Sequence, residues 1–85
     1  MLGIENLELT GKDLMLFPNP ATNMITIKSE DPIFNNYKIF DQQGRPVHYG
    51  QLKGFSTEVS ISHLSKGSYI IVVDGSYKPT SLIKQ

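Results

Sequence analysis

The amino-acid sequence predicts an all-β domain, an antiparallel sandwich of about seven short strands. Two recurring patterns and one absence carry that prediction. Apolar and polar residues alternate over short segments such as Met24-Ile25-Thr26-Ile27-Lys28 and Thr57-Glu58-Val59-Ser60-Ile61, which places one face of each segment in a core. Clusters of Gly, Pro, Asn and Asp interrupt these segments at intervals of roughly 8–12 residues, the spacing of a sandwich. No segment sustains helical periodicity.

The 85 residues allow one domain with a single modest core. Apolar residues make up 39% and charged residues 19%, a balance that fits a folded module rather than a disordered tail. Lys+Arg and Asp+Glu both number 8, so the chain lacks the positive charge that nucleic acid or an anionic lipid surface would require. With no cysteine, neither a disulfide framework nor a thiolate metal site is available. No apolar run approaches the roughly 20 residues of a membrane span, so direct membrane insertion is not expected. A basic N-terminal stretch with an apolar signal region is also missing. Met1 is consistent with a translation start placed on a piece of a longer protein.

Residues 1–13, with the alternating patch Ile4-Glu5-Asn6-Leu7-Glu8-Leu9 and then Gly11, are expected to form a linker or a weak first strand, and residues 14–85 the domain proper. Leu14-Met15-Leu16-Phe17 is a compact apolar run stopped by Pro18 and Pro20, each of which fixes its own φ. Pro20 also drives Asn19 to extended geometry, so that Asn19 to Thr22 are expected to close a type I turn. The strand beginning at Met24 buries Ile25 and Ile27, and Asp31-Pro32 with Asn35-Asn36 is expected to turn the chain. Tyr37 to Phe40 forms the next strand. Asp41 and Gly44 suit the first and last positions of a type I turn, giving a hairpin whose return strand, with Pro46, lies at an edge or a bulge.

Gly50 and Gly54 are expected to bracket a further turn. Thr57, Val59 and Ile61 share one face. Ile70 to Val73 is apolar on both faces and β-branched, which predicts a central strand covered on both sides. Asp74-Gly75 turns the chain into a closing strand within residues 78–85, irregular at its start because of Pro79. The spacing Leu64-x-x-Gly67-x-Tyr69 resembles the tyrosine corner of Greek-key sandwiches: Tyr69 would bond back to the backbone, Leu64 would cap the core and Gly67 would supply a positive φ.

Catalytic chemistry finds little support. No Gly-x-Ser-x-Gly elbow is present, and a sandwich this small can scarcely enclose a substrate pocket, so the chain is read as a non-enzyme with no cofactor. His48 and His63 fall on different predicted elements. Neither has a carboxylate or histidine at helical spacing to build a four-ligand zinc site, so both are read as solvated surface residues. Glu30, Asp31 and Asp41 lack the regular acidic loop of a calcium site and are read as solvated turn acids. The glycines stand one per junction and cradle no phosphate. Tyr37, Tyr49, Tyr69 and Tyr77 are read as half-buried strand aromatics rather than as base-stacking platforms.

Four segments together resemble one family, the type A C-terminal sorting domain of cargo of the type IX (Por) secretion system of Bacteroidetes. They are Leu16-Phe17-Pro18-Asn19-Pro20-Ala21-Thr22-Asn23, Tyr37-Lys38-Ile39-Phe40-Asp41-Gln42-Gln43-Gly44-Arg45, residues 61–71 from Ile61 to Ile71, and the closing Ser81-Leu82-Ile83-Lys84-Gln85. The resemblance covers the chain from Leu14 onward. It departs at Ser81, where family members commonly carry a second lysine. It implies an Ig-like β-sandwich at the end of a larger secreted protein, met in the periplasm by the outer-membrane secretion machinery. The cargo would then reach the cell surface or the medium, and a sortase-like surface peptidase would remove the domain by a cut before the first strand, with Leu2 to Lys12 on the linker side of the processing point.

It also implies that Leu82, Ile83, Lys84 and Gln85 are the signal positions. Independently of the family, a closing strand at a sheet edge would offer unpaired backbone groups to a partner or to a second copy of the chain. From Ser65 onward Lys66, Lys78 and Lys84 face only Asp74, so this tail is mildly basic. Deleting residues 82–85 is expected to leave a folded domain. A different class of reading, an Ig-like adhesive or carbohydrate-binding accessory module, would call for coplanar exposed aromatics, and the chain contains no Trp.

Overall fold

A computed structural model describes residues 13–75 and 77–85. Apart from Asp13, the segment read as a linker or weak strand lies outside the described residues. Seven strands follow one another: β1 (Met15–Phe17), β2 (Met24–Ile33), β3 (Asn36–Phe40), β4 (Pro46–Gln51), β5 (Gly54–Ser60), β6 (Gly67–Val73) and β7 (Thr80–Lys84). No helix occurs among the described residues. The strands form a three-stranded sheet, β1-β2-β5, and a four-stranded sheet, β4-β3-β6-β7, with every strand pair antiparallel. The chain crosses between sheets after β2, after β4 and after β5, so partners such as β2 and β5 are distant in sequence. The all-β sandwich expected from the alternation is the fold observed.

The core is the set of inward positions that the two-residue period picks out. Ile25 and Ile27 of β2 and Val59 of β5 face Tyr37 and Ile39 of β3, Tyr69, Ile71 and Val73 of β6, and Leu82 of β7. Ile33, Leu52, Ile61 and Leu64 close the ends. Burying one such side chain contributes about 1.5–3 kcal/mol, so each position matters in a domain of this size.

Several expectations are corrected. Asp31-Pro32 does not turn the chain: β2 runs through it to Ile33, with the register against β5 shifting between Lys28 and Ile33. A bulge leaves its residues out of the ladder, so a proline there costs no sheet hydrogen bond. The chain only bends at residues 18–20, both prolines following cis peptide bonds, and Ala21 makes an isolated parallel bridge to Lys84 instead of closing a turn.

β6 is central in its sheet, but Ile70 is exposed and Val72 half-buried, because a two-layer sandwich fills only the space between its sheets. Gly50 lies within β4 directly opposite Tyr37 rather than in a turn. A Cβ there would sit 2.5 Å from the Tyr37 hydroxyl, so this glycine lets the ring lie across the strand. Tyr49 is exposed, unlike the other three tyrosines. β4 is an edge strand, as Pro46 requires, and its pairing with β3 shifts register beside Pro46.

Candidate functional site

β7 pairs with β6 along one side, with Leu82 opposite Tyr69 and Ile83 opposite Ser68. Its other side faces the segment around Asn19 and Ala21. The Asn19 side chain donates from Nδ2 to the Ser81 carbonyl at 3.0 Å and accepts from the Ile83 N–H at 3.0 Å. Two residues on, the Ala21 N–H donates to the Ile83 carbonyl at 2.8 Å, and the Ala21 carbonyl accepts from the Gln85 N–H at 2.7 Å. A carboxamide carries one donor group and one acceptor, like a peptide unit, so Asn19 extends the short parallel pairing that Ala21 begins.

The outer side of β7, expected to offer free backbone groups, is therefore occupied over Ser81 to Gln85. Pro18 and Pro20 flank Asn19 and themselves lack an N–H. The four residues assigned to the signal fall into different environments. Leu82 is 0% exposed and belongs to the core, Ile83 is 46% exposed, Lys84 is half-buried and Gln85 is exposed. The Lys84 ammonium bonds the Gln85 carbonyl oxygen at 3.2 Å. Removing residues 82–85 would remove a core side chain, part of the β6 pairing and most of the clamp's partners. That deletion is therefore predicted to destabilise the sandwich, which a thermal melt of the truncated domain would measure.

Beside Ile83 a groove of about 310 Å³ runs between Asp41-Gln42 and Ile70, Ser81 and Ile83. Its wall at Asp41 is built by the β3–β4 turn, which the Asp41 carbonyl closes by accepting from the Gly44 N–H at 3.0 Å. Gly44 has φ 83°, a value that favours glycine. The Asp41 carboxylate accepts from the backbone N–H groups of Gln43 and Arg45 and from the Arg45 guanidinium, each at 2.9 Å. The Arg45 backbone N–H, followed by its guanidinium, holds the Asp41 carboxyl below its ordinary pKa. Asp41 is thus the organiser of a turn rather than a merely solvated acid.

The corner before β6 is formed as its residues suggested: the Tyr69 hydroxyl donates to the Ser65 carbonyl at 2.6 Å, Leu64 is buried, and Gly67 has φ 150°. This corner fixes the start of β6, and through it the register of β7.

The histidines depart from the expectation that they are separate surface residues. His48 faces the sandwich interior from β4 and is half-buried, while His63 is exposed in the turn after β5. The fold brings His48 Nδ1 to 3.2 Å from His63 Nε2, with the Tyr37 hydroxyl 3.3 Å from His48 Nε2. Burial, followed by the charge of His63, pushes the His48 pKa down, and burial pushes the Tyr37 hydroxyl up. Their separation by 15 residues in sequence hid the pair, since no local spacing encodes it. Asn19 stood out in the sequence as part of a turn, but its partners lie 62 and 64 residues away. Nothing local marked it as a clamp.

A family model described as the secretion system C-terminal sorting domain matches residues 15–84, from the first residue of β1 to the last of β7. No curated protein and no solved structure matches the chain. The match takes in Asn19 and Ala21, their partners Ser81 and Ile83, the turn at Asp41 and the corner at Tyr69, and on it the chain belongs to the C-terminal sorting domains of type IX secretion.

Proposed function

We propose that this domain is recognised by the outer-membrane type IX machinery as a folded body, through the exposed side chains of its last strand rather than through that strand's backbone. The single observation behind this reading is the pairing of β7 on both sides. With Ser81 to Gln85 bonded to the Asn19–Ala21 segment, a partner adding a strand there would first have to displace four hydrogen bonds. Side chains remain for recognition: Ile83, Lys84 and Gln85, with Ile70 beside them. Leu82 holds the strand in place from beneath.

After passage through the periplasm and across the outer membrane, a sortase-like surface peptidase cuts before the first strand, with Leu2 to Lys12 on the linker side, and frees the cargo from the domain. The domain itself performs no chemistry in this reading. Its role is to carry an address that exists only when β7 is docked.

The test fuses this chain to a periplasmic reporter in a type IX-competent strain. Export of the wild-type fusion is expected, and a reporter that stays periplasmic refutes the reading. An Ile83→Ser/Lys84→Ala variant is expected to lose export while the purified domain keeps its melting temperature. Undiminished export of that variant would remove these residues from the recognition surface.

A further inference from the structure

We propose that His48 and His63 form a two-imidazole chelate for a divalent transition-metal ion of the Zn²⁺, Ni²⁺ or Cu²⁺ class. A structural zinc site needs four protein ligands, but an exchangeable site can be built on two and completed by water. Two nitrogens bound to one tetrahedral zinc at about 2.0–2.1 Å stand roughly 3.3 Å apart. His48 Nδ1 and His63 Nε2 are 3.2 Å apart, with the ring centroids 5.0 Å apart and the planes tilted by 47°. The two nitrogens thus already stand at the separation that one metal ion requires, and capture needs the rings to turn so that both lone pairs converge on it. No group of three His, Cys, Asp or Glu residues that could hold a metal ion occurs among the described residues, so water completes the coordination.

The backbone that carries each ligand is held in place. His48 sits within β4, opposite the fully buried Ile39. His63 sits in a turn closed by the Leu64 N–H on the Ile61 carbonyl at 3.0 Å, between two buried side chains, Ile61 and Leu64. Tyr37 supplies the outer contact that metal-binding imidazoles characteristically have. When its hydroxyl accepts from His48 Nε2–H, the Nδ1 lone pair is left for the metal. Gly50 makes that possible by leaving room for the Tyr37 ring. Imidazole suits the late first-row divalent ions, whereas Ca²⁺ and Mg²⁺ prefer oxygen ligands.

Such an ion would join β4, an edge of the four-stranded sheet, to the crossing that leaves the three-stranded sheet. Because the unfolded chain would not hold the two rings together, binding would raise the melting temperature.

The experiment titrates the intact domain with ZnCl₂, NiCl₂ and CuCl₂ above the ordinary imidazole pKa, reading calorimetry, thermal melting and the imidazole ¹⁵N resonances. The expected result is a single saturable site, shifts at the His48 and His63 rings, and a higher melting temperature with metal. CaCl₂ should leave all three readouts unchanged. His63→Gln changes an exposed side chain and retains the fold, and it should lower the affinity at least about tenfold and abolish the thermal shift. Tyr37→Phe should weaken binding by about 10–100-fold, the usual range for loss of an outer contact. Absence of saturable binding, or equal affinity in the wild type and His63→Gln, overturns the proposal.

Discussion

The two edges of the four-stranded sheet are defended in opposite ways. At β4 the defence is local: Pro46 has no N–H to offer, and the register shift beside it interrupts the ladder. At β7 the defence comes from the other end of the chain, where Asn19 and Ala21 cover the backbone from Ser81 to Gln85. An edge blunted by its own residues stays blunted whatever the rest of the molecule does. An edge covered by a distant segment is covered only when the whole sandwich is assembled. If the sorting signal lies on the second kind of edge, as proposed, it would report on folding, since the backbone of Ile83 is held only when the Asn19–Ala21 clamp is docked and the strand is paired with β6.

The largest expected effect on this contrast comes from beneath β7. Leu82→Ala leaves a cavity under a fully buried side chain and should cost about 2–5 kcal/mol. In a small domain that is a large share of the total stability, and a denaturant midpoint measures it. Next is the β4 side, where Gly50→Ala drives a methyl into the Tyr37 ring and should cost about 1–3 kcal/mol by overpacking. Asn19→Ala, at the β7 clamp, removes two exposed hydrogen bonds. At the lower end of about 0.5–1.5 kcal/mol for each bond, the loss should be near 1 kcal/mol, with faster amide exchange at Ile83.

The smallest effect depends on pH. Because the His48 pKa is depressed in the folded state, the unfolded chain binds more protons just below the ordinary value of 6.5. The stability that neutral His48 contributes is therefore present above 6.5 and declines as pH falls through the lowered value. Chemical denaturation across this range should show the decline in the wild type and lose it in His48→Gln. A slope unchanged by that substitution would assign it to other groups.

Much of this arrangement was legible in the sequence because it is written locally. Alternation at residues 24–28 and 57–61 marked inward faces, Asp41 with Gly44 marked a hairpin turn, and Leu64-x-x-Gly67-x-Tyr69 marked a corner. Each depends on residues a few positions apart. Asp31-Pro32 misled because turn chemistry and a bulge call for the same residues, and pairing with β5 at Ile33 decided for the bulge. Asn19 misled for a related reason: asparagine before proline favours a turn, yet its carboxamide found a better partner in β7. The His48–His63 pair and the packing of Tyr37 over Gly50 depend on cross-strand register, which alternation alone does not fix. The family resemblance pointed to the last residues as a group. Separating the buried Leu82 from the exposed Ile83 required the sheet.

Amide hydrogen exchange along β7 reads the closure of its outer edge residue by residue. If the Asn19–Ala21 segment seals the outer edge, the Ile83 and Gln85 amides of the wild-type domain are protected, and Asn19→Ala lowers protection at Ile83 while sparing Leu82, which turns toward β6. Unprotected Ile83 and Gln85 amides in the folded wild-type domain would show an open edge and contradict the account.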